Sequence, residues 1–139
     1  MAQAGEVSAR SVTDLVDRGR IDQALADARR LTEQLPAEPA AWRALAYVET
    51  GRKAFKEAEQ TLRHAISLAP KDALSWEHLG WMYRRAGDFA RALAPLQESL
   101  AIDGSSPRPR MILANCLADL GKTKSAISTT GSNSHFSVW

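Results

Sequence analysis

Apolar residues in this chain fall into short helical stripes, and the stripes recur at an interval of 34 residues. Within 39–51, Trp42, Leu45, Ala46 and Val48 share one helix face. Within 55–68, Phe55, Ala58, Leu62, Ala65, Ile66 and Leu68 do the same. One interval later the pattern returns. Trp76 follows Trp42, Leu79 and Leu113 follow Leu45, and Gly80 and Ala114 follow Ala46. Ile21, Phe55 and Phe89 form another row, Ala24, Ala58, Ala92 and Ala126 a fourth, and Pro36 and Pro70 close successive units. A fixed period of this size predicts stacked units, each a pair of helices. Neither helix of a pair can bury its stripe alone, so neighbouring units must cover it. Small side chains at Ala58 and Ala92 allow close helix crossings, and the Trp and Leu rows fill the space around them.

Local signals set the boundaries. Pro39 suits the first turn of a helix, where its missing N–H costs nothing. Asp72 is placed to cap a helix beginning at Ala73, Asp88 one beginning at Phe89, and Ser106 one beginning at Pro107. Pro95 falls about two turns into a helix, where a lost backbone bond costs about 3 kcal/mol and predicts a bend. Ile112, Leu113, Cys116 and Leu117 predict a helix over 107–120 stacked on the preceding unit. The helix after it should fray by about residue 128, where Ser-Thr-Thr-Gly-Ser-Asn begins and the composition turns loop-like.

With these rows in phase, the chain resembles the tetratricopeptide repeat (TPR) family. Residues 73–106 carry Trp76, Leu79, Gly80, Tyr83, Gly87, Phe89, Ala92 and Leu96 in the family's order. Residues 39–72 form a second good unit. Residues 5–38 form a weaker one, with Gly19, Ile21, Ala24 and Pro36 in place but Ser8 where the signature Trp belongs. Residues 107–127 begin a fourth unit that stops matching. The resemblance implies an all-α fold: a right-handed α-solenoid of stacked antiparallel helix pairs, about three and a half units over 1–127. A polar tail, 128–139, completes the chain. Truncation of a longer array, a docking tail and residues foreign to the native protein all fit that ending; truncation is the preferred expectation. If the unfinished face is open, Phe136 and Trp139 could cover it from the same chain or from a second copy, giving a homodimer.

Composition changes this picture little. The chain has 139 residues, enough for one domain with a continuous core, and is 45% apolar and 24% charged. A net charge of +2 gives no reason to expect nucleic acid. The longest apolar run falls far short of the roughly 20 residues that cross a bilayer, so no membrane partner is expected. MAQAGEVSARSV has no hydrophobic stretch of the secretory kind, and one cysteine forms no internal disulfide, so the cytoplasm is the default setting.

No residue set assembles an active site. His64, His78 and His135 are widely separated, with no metal-ligand spacing among them. Cys116 reads as a packing cysteine inside a helix, without the His and Asn context of a nucleophile. Gly19, Gly51, Gly80, Gly87 and Gly121 follow the repeat as helix ends or close-packing points, and no glycine-rich phosphate loop is present. The expectation is a protein without catalysis, cofactor or metal.

By resemblance, the first helix of each unit lines a concave groove. Its groove positions are Glu6, Ala9, Arg10, Thr13, Val16 and Asp17 in the first unit, and Ala40, Arg43, Ala44, Tyr47, Thr50 and Gly51 in the second. In the third they are Leu74, Glu77, His78, Trp81, Arg84 and Arg85, and in the fourth Arg108, Met111, Ile112, Asn115, Ala118 and Asp119. Trp81 is not a signature position, and aromatics flanked by arginine are common at binding hot spots. The peptide-binding candidates are therefore Arg43, Tyr47, His78, Trp81, Arg84, Arg85, Arg108 and Asn115, with four arginines making the groove basic. Some family members clamp the acidic C-termini of heat-shock chaperones. The best window for that clamp gives Arg43, Tyr47, His78, Arg108 and Ile112, where only the arginines fit, so that ligand is not expected.

The leading expectation is an interaction scaffold that holds a peptide or partner helix in its groove, with acidic peptides preferred and a loosely held C-terminal peptide left open, as the N-terminal part of a larger bacterial-type protein. Two alternatives stay open: the TPR region of an enzyme such as a glycosyl- or sulfotransferase, or a small secretion chaperone.

Overall fold

The computed structural model describes residues 7–131, and side chains as far as residue 121. Among the described residues the chain forms seven helices: α1 (Ala9–Asp17), α2 (Ile21–Gln34), α3 (Pro39–Gly51), α4 (Phe55–Leu68), α5 (Ala73–Arg85), α6 (Phe89–Ile102) and α7 (Pro107–Gly131). Consecutive helices pack against each other, and the odd-numbered helices also touch in series, α1 on α3, α3 on α5 and α5 on α7. That pattern is an all-α solenoid of antiparallel pairs, with the odd-numbered helices lining one face.

The repeat rows coincide with the core. Ala24, Ala58 and Ala92 have no exposed surface, and Leu62, Leu79 and Leu96 are as deeply buried. Each such leucine contributes about 1.5–3 kcal/mol on burial. Two apolar clusters meet at α3: Leu45 and Val48 join α1 and α2, while Ala46 packs with Leu62 of its own unit and with Leu79 and Leu96 of the next. The approach is tightest between α5 and α6. A Cβ built on Gly80 would stand 2.5 Å from Cγ of Leu96, a buried branch point that cannot swing away.

The Trp and Pro rows are one device. The Trp42 indole N–H donates to the Pro36 carbonyl at 2.8 Å, and Trp76 donates to Pro70 at 2.9 Å. One interval further, Arg110 stands in the Trp position and its guanidinium donates to the Gly104 carbonyl in the same way. In each case the first turn of a helix grips the loop that precedes it. In the first unit Ser8 takes the equivalent place and instead caps α1, exchanging side-chain and backbone bonds with Ser11.

A third row appears at the turns. Gly19, Lys53 and Gly87 stand 34 apart and all adopt left-handed backbone, with φ of +81°, +63° and +83°. Each follows a first helix, and the next N–H reaches back to close it: Arg20 to Leu15, Ala54 to Glu49 and Asp88 to Tyr83, at 2.8–2.9 Å. Lys53 holds a conformation that costs an L-residue with a side chain 1–2 kcal/mol.

Several expectations are corrected here. Gly121 is next in that row, yet α7 does not turn; it continues through Gly121 to Gly131, so among the described residues no separate helix follows it and residues 128–131 are helical. Asp72 makes no capping bond to α5, because its carboxylate is engaged by Arg43 and by the Ser75 hydroxyl, whereas Asp88 does cap α6 through the Arg91 N–H. Pro39 occupies the first turn of α3 as expected. α6 continues across Pro95 without ending. Of the α7 stripe, Ile112 and Cys116 are buried and Leu113 packs against the core, but Leu117 is exposed. Phe136 and Trp139 lie outside the described residues, as does the side chain of Ala126.

Two substitutions of opposite sign test this geometry. Gly80→Ala should lower unfolding free energy by about 1–3 kcal/mol, since Leu96 must give way. Lys53→Gly should raise it by about 1 kcal/mol by relieving the left-handed turn. Chemical denaturation of both proteins, at equal m-value, reads the two shifts directly.

Candidate functional site

The face shared by α1, α3, α5 and α7 gathers most of the sequence-selected side chains, in two separate sets. Tyr47 of α3 and Trp81 of α5 stack, with ring centroids 5.2 Å apart and planes 17° from parallel. Their positions are one repeat apart, so the packing of α3 on α5 brings the rings together. His78, one turn before Trp81, meets it edge-on at 6.4 Å, and the Arg85 guanidinium lies 5.7 Å from the Trp81 ring centre. The Tyr47 hydroxyl donates to Asp17 of α1 at 2.7 Å. Asp17, Tyr47, Trp81, His78 and Arg85 thus form one continuous platform across three helices, with both aromatic rings half-buried and Arg85 exposed.

The other arginines are engaged elsewhere. Arg43 pairs with Asp72. Arg84 pairs with Asp119 at 3.7 Å, and Arg108 with Glu77 at 3.2 Å. The last two pairs clip α7 onto α5. Three of the four arginines expected to make the groove basic are therefore matched by carboxylates of the same chain. Asp72, whose sequence position suggested only a helix cap, supplies one of them; nothing in the linear pattern shows that it faces α3. Asn115 is exposed on α7 and outside the platform.

Some groove positions are not open. Thr50, Glu77 and Ile112 are buried under helix contacts, and Ala44 keeps only a trace of surface, in the floor of a socket. The Thr50 hydroxyl is spent on the Ala46 carbonyl at 2.8 Å. Beside the platform, towards α1, lies a socket of about 240 Å³. Ala9, Ala40, Ala44 and Leu74 line its apolar part, and Arg10, Thr13, Arg43 and His78 its rim.

Electrostatics keep the histidine of this socket neutral. Burial, with Arg43 and Arg108 nearby, lowers the His78 pKa to about 4, outweighing the opposite pull of Asp72. The imidazole is uncharged at neutral pH. Burial pushes the Glu77 carboxyl up, against the pull of Arg108 and Arg43. The Tyr47 phenol is raised by burial first and by its bond to Asp17 second. Cys116 is buried and its thiol is raised mainly by that burial, the opposite of an activated nucleophile. Among the described residues, no group of three or more His, Cys, Asp or Glu side chains could hold a metal ion. None of the helices among them is long and apolar enough to cross a membrane.

Comparison with known proteins bears on the same helices. Residues 10–73 match the profile "Tetratricopeptide repeat", and residues 52–132 match "Anaphase-promoting complex, cyclosome, subunit 3". Tetratricopeptide repeat protein 37 of Xenopus laevis is 29% identical over 128 residues, which is 89% of this chain. The chain spans only 6% to 8% of the length of the curated relatives it matches. Among solved structures, the Sgt2 TPR domain of Aspergillus fumigatus superposes with a TM-score of 0.76 at 14% identity, covering 93% of this chain and 87% of that one. The second TPR domain of human RPAP3, solved in complex with an HSP70 peptide, gives 0.66 at 15% identity over 77% and 89% of the two chains. Repeat rows, helix-pair stacking and profile matches agree: the chain belongs to the tetratricopeptide repeat family.

Proposed function

We propose that this protein is a non-catalytic scaffold that holds a protein segment or peptide along the inner face of its odd-numbered helices. The Tyr47–Trp81 stack carries the reading. Two half-buried aromatic rings, backed by Arg85 and fixed by Asp17, offer a rigid apolar surface with a charged rim, the composition that concentrates binding energy. The adjacent socket fits one small or medium apolar side chain of the guest. A solved relative in fold carries a peptide, which supports the same use of the groove here.

The charge arrangement narrows the guest. Arg43, Arg84 and Arg108 are matched internally. A preference for acidic segments therefore rests on Arg85 beside Trp81 and on Arg10 at the socket rim, enough for one or two carboxylates rather than an acidic tail. The one cysteine is unpaired and buried, which suits a reducing compartment, and the cytoplasm is the setting we infer.

Peptides selected from a display library against the whole protein test the groove. Trp81→Ala should weaken their binding by about 2 kcal/mol or more while circular dichroism stays unchanged. Selected peptides that bind the variant as tightly as the parent would place the working surface elsewhere.

The neutral state of His78 gives a second check. Its folded pKa of about 4 lies below the ordinary value of 6.5, so the unfolded chain takes up the proton first. His78 should therefore leave stability untouched above pH 6.5 and reduce it progressively between pH 6.5 and about 4. Denaturation midpoints across that window should flatten in His78→Asn, and an NMR titration should show the His78 ring still neutral at pH 5.5.

A further inference from the structure

Trp76 and Trp81 are five residues apart on α5, roughly 140° around the helix, so they serve different surfaces. Trp81 belongs to the inner face. Trp76 opens instead into a cleft of about 400 Å³ between α4, α5 and α6, walled by Leu79, Tyr83 and Pro95 and rimmed by Arg63, Arg91 and Glu98. Nothing in the groove reading uses this cleft.

The preceding repeat shows what this position accepts. There Trp42 has a ring against it: the His64 imidazole meets it edge-on, with centroids 4.4 Å apart. One interval later Glu98 stands in the place of His64, and lines an open cleft with Trp76. The planar nitrogenous ring is replaced by an exposed carboxylate, and space remains over the tryptophan.

The charges around the cleft separate into a closed set and an open one. Glu59 binds Arg63 at 3.3 Å and Arg91 at 3.1 Å, and accepts a bond from the Tyr83 hydroxyl at 2.7 Å. Arg91 also lies over the Tyr83 ring at 4.8 Å and pairs with Asp88 at 3.8 Å. These two guanidinium groups are met by carboxylates already. Glu98 makes no ion pair among the described residues. An aromatic ring beside an uncommitted carboxylate makes a surface for a flat cation with several donors.

We propose that this cleft is a second protein-binding site, which takes an exposed arginine side chain of a partner. The guanidinium stacks on the Trp76 ring, in the space that His64 fills edge-on against Trp42 one repeat earlier, and donates to Glu98. A guanidinium matches the site better than an ammonium because it is planar, stacks on rings and carries its donors in a fork.

The probe is N-acetyl-arginine amide, titrated into the whole isotope-labelled protein. The readout is the indole N–H signal of Trp76, identified by its loss in Trp76→Phe. That signal should shift along a saturable curve, further than with N-acetyl-lysine amide and without effect from N-acetyl-aspartate amide. Glu98→Gln should weaken the response about threefold, in the range of an exposed cation–ring and carboxylate contact. Glu98→His should abolish it by restoring the arrangement of the preceding repeat. Glu98 is exposed, so both variants should fold. A Trp76 signal that does not move, an equal response to the aspartate derivative, or an undiminished response in Glu98→Gln would each overturn the proposal.

Discussion

Close approach between the two helices of each pair is the constraint on which the rest of the molecule depends. It needs side chains almost absent at one point of contact, and the chain supplies Ala24, Ala58 and Ala92 on the second helices, and Ala46 and Gly80 opposite Leu62 and Leu96. With the pairs pressed together, leucines reach across and fill the remaining space at interior density. The same approach brings α3 and α5 into contact on the inner face, which is why residues one repeat apart, Tyr47 and Trp81, can stack. The binding surface is thus a consequence of core packing.

The indole bonds add orientation. A small-residue crossing lets helices slide, whereas a side chain tied to the carbonyl of the loop before it fixes where each first helix starts. Trp42 and Trp76 do this with an indole N–H, and Arg110 does it with a guanidinium. What the repeat retains is a long donor at that place, and aromatic character is secondary. Where the aromatic is retained, its ring face becomes available for another use. His64 takes it in one repeat, and in the next Glu98 stands in that place and leaves it open.

Much of this was legible from periodicity, because rows of apolar residues report burial directly. The helix pairs and the alanine row came from spacing, and the prominence of Trp81 came from the groove positions that the family resemblance implies. Electrostatic partnership was not legible. Asp72 reads as a cap in the linear order, and only the packing of α3 on α5 shows Arg43 claiming it. The groove positions Thr50, Glu77 and Ile112 follow the family spacing, yet neighbouring helices cover them, since a spacing rule gives direction around a helix and not what lies in front of it. Gly121 misled for a related reason. Glycine permits a left-handed turn but does not compel one, and Lys53 shows the converse, a turn made at the same row without glycine.

That asymmetry bears on how α7 relates to the rest. Gly19, Lys53 and Gly87 turn because a second helix lies ready to fold back: Ile21, Phe55 and Phe89 begin helices whose apolar stripes pack against the preceding one. After Gly121 the sequence Lys-Thr-Lys-Ser-Ala-Ile-Ser-Thr-Thr lacks such a stripe. With little apolar surface to bury by turning, each residue that continues the helix still gains a backbone bond. The extension of α7 to Gly131 is therefore the cheaper course locally. The two ion pairs between α5 and α7, Arg84–Asp119 and Arg108–Glu77, lie before Gly121 and hold the first half of α7 in the repeat geometry. The helix itself runs on to Gly131, past the last of these ties.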